Sequence, residues 1–173
     1  MRIKPFDYYP ASDLADALDK MNRHGPEARI LAGGTDLVPA MKKKRILPAV
    51  LISLRKVKEL DYVRQSATEI RIGSMTKHTD LAANPLLNKC FPILCEALSS
   101  IGSWQIRNIA TIGGNLCTAS PAADSAGPLL ALDARVVIAD SSGESEIPLS
   151  SFFIGPGQTA LRYHQLLKEI ILP

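Results

Sequence analysis

Two short segments carry residue types that could hold an anion: Ala32-Gly33-Gly34-Thr35-Asp36 and Thr111-Ile112-Gly113-Gly114-Asn115. A glycine pair admits positive φ and lets a ligand approach where a Cβ would otherwise stand. Successive backbone N–H groups can then converge on an anion as a nest. Two such turns, far apart in the chain, could close on one diphosphate from two sides. One alone reads as an ordinary tight turn. The commoner phosphate codes are absent: neither G-x-G-x-x-G nor G-x-x-x-x-G-K-[ST] occurs, so neither a Rossmann fingerprint nor a P-loop is indicated.

Asp124 follows the second segment and has two readings. Its carboxylate could accept hydrogen bonds from sugar-type hydroxyls, or it could cap the next helix. His24, His78 and His164 show no metal-ligand spacing. His24 reads as a helix-end surface residue and His78 as a packed or capping one. Cys90, Cys95 and Cys117 are too few for an iron–sulfur centre, which needs four ligands and usually takes four cysteines, so they read as buried, inert thiols. No nucleophile–base–acid triad can be assembled from the spacing, and no catalytic residue is assigned. Lys42-Lys43-Lys44-Arg45 is either a solvated helix end, favoured by the dipole, or a docking surface for an acidic partner. A net charge of +3, with one Trp, four Tyr and four Phe, gives no stacking platform for nucleic acid.

These residues must be positioned by ordinary globular elements. Apolar residues are 46% and charged residues 21% of 173, a composition that supports real cores. Ser12 reads as a helix cap, with Leu14, Ala17, Leu18 and Met21 as one apolar face and Gly25-Pro26 as the stop. A strand over 28–32 runs into the first glycine pair, and a helix starts near Asp36. A buried strand over 49–54 closes an α/β unit of residues 1–55. The second unit, 56–173, opens with paired strands at 62–64 and 69–73. Helices are expected over 76–83, with Thr76 or Thr79 as cap, after Asn84-Pro85, and over 93–100. The last of these has Ile93, Leu94, Ala97, Leu98 and Ile101 facing the core. A loop is expected over 116–121, then a helix over 122–132 kinked at Gly127-Pro128. Strands follow near 135–139 and 146–149, a tight turn at 155–157, and a final segment over 166–172 whose last part reads as a strand. That last strand needs a neighbour on its open edge, which either the preceding chain supplies or something missing would supply. No run is long and apolar enough to span a membrane. Met1 to Phe6 lacks the apolar core of a secretory leader, and the sparse, odd cysteine set points to the reducing cytoplasm.

Taken together, the motifs resemble a known family, the FAD-binding (medium) subunit of the molybdenum hydroxylases, which includes the xanthine and carbon monoxide dehydrogenases. The resemblance spans essentially the whole chain: Phe6 to Ser12, Ile30 to Leu37, Arg71 to Thr76, Gln105 to Asn108, Thr111 to Asn115, Ala119 to Asp124 and Phe152 to Thr159. It implies an α+β, FAD-binding fold of the vanillyl-alcohol-oxidase (PCMH) type, in two subdomains that clasp an extended FAD. Arg29, Ile30, Leu31, Ala32, Gly33, Gly34, Thr35 and Asp36 correspond to the family's first pyrophosphate loop. Thr111, Ile112, Gly113, Gly114 and Asn115 correspond to the second. Asp124 matches the family's FAD-binding acid, Ile101 a side chain near the flavin, and Leu167 an apolar contact.

The resemblance further implies electron transfer. Electrons from a molybdopterin-containing large subunit arrive through a 2Fe–2S subunit, and the flavin passes them to NAD or another acceptor. Family members usually continue beyond the segment matching Pro173 into a C-terminal domain, which leaves two expectations: a short natural variant, or one part of a split subunit whose C-terminal domain a separate chain supplies. Two alternatives stand beside this reading: an interaction module of the same fold that does not bind FAD tightly alone, and a stand-alone FAD-dependent reductase.

Overall fold

The computed structural model describes residues 3–173. Met1 and Arg2, part of the segment read as lacking a leader, lie outside the described residues. The chain opens with β1 (Asp7–Pro10), α1 (Leu14–His24), β2 (Ala28–Leu31), α2 (Leu37–Lys42) and β3 (Val50–Ser53). These three strands form a parallel sheet in the order β1-β3-β2. Central β3 is buried at every position, as its continuous apolar run demands. Helix α1 buries Ala17, Leu18 and Met21 and stops at Gly25, whose φ is 58°. Its cap is Asp13 rather than Ser12: the Asp13 carboxylate accepts the Asp16 N–H at 2.8 Å. An anion is the better partner for the positive end of the helix. The Ser12 hydroxyl instead donates to the carboxylates of Asp13 and Asp16.

The chain continues with β4 (Val63–Gln65), β5 (Ile70–Gly73), α3 (His78–Ala82), α4 (Pro85–Cys90), α5 (Pro92–Ser100), α6 (Trp104–Arg107), α7 (Ile112–Thr118) and α8 (Ala126–Ala131). It ends with β6 (Arg135–Asp140), β7 (Gly143–Pro148), α9 (Leu149–Phe152), β8 (Phe153–Gly155), β9 (Gln158–Thr159) and β10 (Leu166–Leu172). Five strands make an antiparallel sheet in the order β4-β5-β10-β6-β7, and β8 pairs with β9. Of the two sources expected for the last strand's neighbour, the preceding chain supplies it: β10 is the central strand, held by β5 on one side and β6 on the other. The larger core places Leu81, Leu94, Leu98, Leu116, Leu129 and Phe152 with Ile72, Val136 and Ile170 of this sheet. The smaller core joins Leu18, Met21 and Ile52 to Leu60, Met75, Ala139 and Leu166.

Four local expectations are corrected. Helix α5 buries Leu94, Cys95 and Leu98, and its face is rotated so that Ile93 is 55% exposed. Neither Thr76 nor Thr79 caps α3: Thr76 Oγ1 bonds the backbone of Tyr62, and Thr79 donates to Asn108. Helix α8 begins only at Ala126, which puts Pro128 in the first turn, where its missing N–H costs nothing and produces no kink. Of the three thiols only Cys95 is buried; Cys90 and Cys117 are exposed.

Charged side chains tie the sheet together across its strands. The buried carboxylate of Glu169 accepts from the Tyr62 hydroxyl and from Arg71 Nη1, the latter at 2.6 Å. Glu69 bridges Arg71 and Arg135, and Arg135 also reaches Glu146. Burial, reinforced by Glu169, pushes the Tyr62 phenol above its ordinary range. Glu169→Ala leaves both donors without their acceptor. Arg71 is over a third exposed, so water replaces part of the loss. The expected cost is about 2 kcal/mol, read as a lower urea midpoint at unchanged m-value, with Glu169→Gln losing less.

Candidate cofactor cleft

The chain leaves β2 through Ala32-Gly33-Gly34-Thr35-Asp36 and enters α2. Gly34 has φ 81°, a conformation that favours glycine. Gly33 is required for a different reason. A Cβ there would lie 2.9 Å from Ala110 Cα and closer still to the Ile109 carbonyl oxygen. The first glycine segment therefore lies flush against the stretch that leads into the second. Among the described residues, the backbone N–H groups of Gly33, Gly34, Thr35 and Asp36 donate to no protein acceptor. Four consecutive unengaged donors make an anion cradle.

The second segment is built differently from the nest its glycines suggest. Thr111 caps α7, its hydroxyl accepting the Gly114 N–H at 3.1 Å. The Ile112, Gly113 and Asn115 N–H groups donate to the carbonyls of Thr76, Ser74 and Thr111 at 3.0, 2.9 and 3.0 Å. Neither Gly113 nor Gly114 takes a positive φ. These donors are already spent within the protein, and the expected loop over 116–121 is helical as far as Thr118. Gly113 serves close packing: a Cβ there would lie 2.5 Å from Ser74 Cβ. The Thr118 hydroxyl is 3.2 Å from the Asp36 carboxylate and 3.0 Å from the Gly114 carbonyl, which clasps the two segments together.

Both segments face one cleft of about 760 Å³. Arg29, Ile30, Ala32, Gly33, Gly34, Thr35 and Asp36 line it from one side, and Thr111, Gly113, Gly114 and Asn115 from the other; Ile101 and Leu167 line it as well. Leu31 does not line it, and Ile112 is wholly buried in the larger core. Asp124 is exposed and lines a second hollow of about 590 Å³, with Pro121, Phe153 and Pro156. It does not cap α8, whose cap position is Ser125.

Residues 4–173 match the family described as the FAD binding domain in molybdopterin dehydrogenase. The chain belongs to this family. It is 35% identical over 175 residues to the nicotinate dehydrogenase FAD-subunit of Eubacterium barkeri, covering 98% of this chain and 59% of that protein. It is 32% identical over 168 residues to the carbon monoxide dehydrogenase medium chain of Hydrogenophaga pseudoflava, covering 97% and 58%. A solved structure of carbon monoxide dehydrogenase from the latter organism superposes with a TM-score of 0.97 at 31% identity, over 100% of this chain and 60% of that one. The chain thus spans about three fifths of the length of these relatives, and its fold is the α+β FAD-binding fold of PCMH type.

The side chains of this FAD-binding domain fit the cofactor on an independent observation. Three buried side-chain polar atoms have no partner among the described residues: Ser74 Oγ, His78 Nδ1 and His78 Nε2. Both residues line the cleft. Buried polar groups are ordinarily satisfied, so a wall with such orphans is shaped for a polar ligand. Burial, with the Arg107 charge adding to it, holds the His78 pKa down to about 4, and the ring is neutral at pH 7. Ile101, Ile106, Leu166 and Leu167 supply apolar lining. Ser74, His78 and Thr118 were not read from the sequence as ligand or clasp residues, and no local signal marks them. Each matters through a neighbour distant in the chain. Among the described residues no cluster of three or more His, Cys, Asp or Glu could hold a metal, and no helix is long and apolar enough to cross a membrane.

Proposed function

We propose that this chain is the FAD-carrying electron-transfer unit of a molybdenum hydroxylase-type oxidoreductase complex. It passes electrons between the clusters of a 2Fe–2S partner subunit and an external acceptor such as NAD, with a molybdopterin-containing large subunit as their source. The observation that carries the reading is the cleft with four free N–H groups on one wall and orphaned polar side chains on another. When bound, the flavin supplies one- and two-electron exchange. The chain's own residues bind and orient it. Gly33 to Asp36 offer N–H groups to the diphosphate. Thr111, Gly113, Gly114 and Asn115 close the opposite wall, and Ile101 and Leu167 offer apolar contact to the ring system. The Asp36 carboxylate, bonded to Thr118, is held by that contact, so its N–H rather than its charge is what the phosphates meet. Residues 1–55 and 56–173 act as two subdomains that clasp the cofactor between them. The names of the relatives, FAD-subunit and medium chain, support a place in a multi-subunit dehydrogenase.

The test is reconstitution. The purified chain, incubated with FAD and desalted, is expected to show a flavin absorption spectrum with about one FAD per chain, as one cradle implies. It should also co-purify with the iron–sulfur subunit when the two are produced together. A chain that retains no flavin after incubation with excess FAD would overturn the reading.

A further inference from the structure

We infer that Ser74 and His78 hold the ribityl hydroxyls of FAD. The inference rests on the FAD reading of the cleft and assigns a role to its two unexplained side chains. Ser74 follows β5, and His78 is the first residue of α3. Both are pinned by their backbones to the stretch that leads into and begins α7: the Ser74 carbonyl accepts the Gly113 N–H at 2.9 Å, and the His78 N–H donates to the Ala110 carbonyl at 3.2 Å. Ala110 is also the residue against which Gly33 packs. The two side chains therefore stand beside the diphosphate cradle, on the wall that also carries apolar Ile101 and Ile106.

The chemistry of the two groups selects their ligand. A serine hydroxyl donates one hydrogen bond and accepts others, and a neutral imidazole has one donor and one acceptor nitrogen. A phosphate oxygen only accepts, and would leave the bare imidazole nitrogen facing an anion. The flavin ring has acceptor oxygens and ring nitrogens and a single donor N–H, and each of these atoms either accepts or donates but does not do both. Hydroxyl groups both donate and accept; in FAD the ribityl chain that links diphosphate to ring carries them, and so does the adenosine ribose, which ADP shares and which the ADP comparison therefore separates. Burial of His78 in the neutral form suits this partner, because no ion pair is required of it.

The experiment compares FAD with ADP, which has the diphosphate and adenosine but no ribityl chain. Affinities of the wild-type chain, Ser74→Ala and His78→Leu are measured by quenching of flavin fluorescence and by ADP competition. Each variant is expected to lose about tenfold in FAD affinity, the scale of one or two buried hydrogen bonds, with ADP affinity within about twofold of wild type. Ser74→Ala removes a group unsatisfied in the free chain, so the melting temperature without FAD should not fall. In the wild-type chain labelled with 15N-histidine, FAD is expected to shift both His78 ring nitrogens and ADP to leave them in place. Equal losses for FAD and ADP would assign these residues a merely structural role and overturn the inference, as would unchanged FAD affinity or unmoved His78 resonances. Should His78→Leu fail to fold, Ser74→Ala and the resonances decide. A wild-type chain that binds no FAD would sink the functional reading and this inference together. FAD binding with unaffected variants would sink the inference alone.

Discussion

Replacing Gly33 by alanine is expected to cost about 3 kcal/mol of stability and to abolish FAD retention. The added methyl group would sit 2.9 Å from Ala110 Cα and nearer still to the Ile109 carbonyl oxygen. Both obstacles are backbone, so no rotamer change relieves them, and the chain must move apart along this seam. Overpacking of this kind commonly costs 1 to roughly 3 kcal/mol, and contact with immobile backbone belongs at the upper end. For a chain of this size the loss corresponds to a fall in melting temperature of about 10 °C. The same displacement shifts the Gly33 to Asp36 donors from the wall they face. Gly127→Ala is the control, because a Cβ there meets nothing within 4 Å. Alanine is the better helix former, so Gly127→Ala should be neutral or stabilising by up to about 1 kcal/mol. Gly114→Ala, whose Cβ would lie 3.0 Å from the Thr111 hydroxyl and 3.7 Å from Ala32 Cβ, should fall between the two. Thermal melts and flavin content for the three variants check the order. A Gly33→Ala chain as stable as Gly127→Ala would show that the seam is not tight and that the cradle does not depend on it.

The contrast between the two glycine pairs shows what the sequence could and could not disclose. Both segments carry the same Gly-Gly pattern followed by a polar side chain, and both line the same cleft. Only the first leaves its backbone N–H groups without a protein acceptor among the described residues. At the second, Thr111 stands three residues before Gly114, the spacing of an N-cap hydroxyl to an N3 amide; the cap takes the Gly114 N–H, and backbone carbonyls take those of Ile112, Gly113 and Asn115. That signal was present in the sequence; the shared Gly-Gly pattern hid it. Strand and helix types were legible from local periodicity, as in α1 and in β5 and β6, because an element's face depends on residues near one another. The position of β10 at the sheet centre was not legible. Pairing with β5 and β6 is a choice between partners roughly 100 and 30 positions upstream, and no local pattern encodes it. Ser74 and His78 were missed on the same ground: an orphaned polar atom is defined by neighbours it lacks, and only the assembled wall reveals the lack. The basic run at 42–45 ends at exposed residues beyond α2, as a solvated helix end would.

His78 makes a second large effect measurable without any cofactor. Its pKa falls from an ordinary 6.5 to about 4 in the folded chain, because burial and then the Arg107 charge disfavour the imidazolium. Arg107 cannot swing away freely, since its guanidinium donates to the carbonyls of Ile101 and Gly102 at 3.0 and 3.2 Å. Between those two pH values the unfolded chain binds a proton that the folded chain refuses. Stability therefore rises with pH across this window: the His78 contribution is complete above about pH 6.5 and is lost as pH falls toward 4. The full loss is about 3 kcal/mol, and most of it is gone by about pH 4.5. Carboxylates contribute over a lower range. Asp140 is held at about 2, chiefly by the Ser142 hydroxyl. Asp16 and Glu69 lie below their ordinary 3.8 and 4.5, chiefly through Lys20 and Arg135, so these groups act mainly below about pH 4.5. His78→Leu removes the histidine contribution and leaves theirs. Urea unfolding of both proteins at pH 7 and pH 4.5 should show the wild-type chain losing more than 2 kcal/mol beyond the loss in His78→Leu. Parallel losses in the two proteins would mean that His78 titrates normally, and that the wall of the cleft admits water where the structure buries an unpartnered ring.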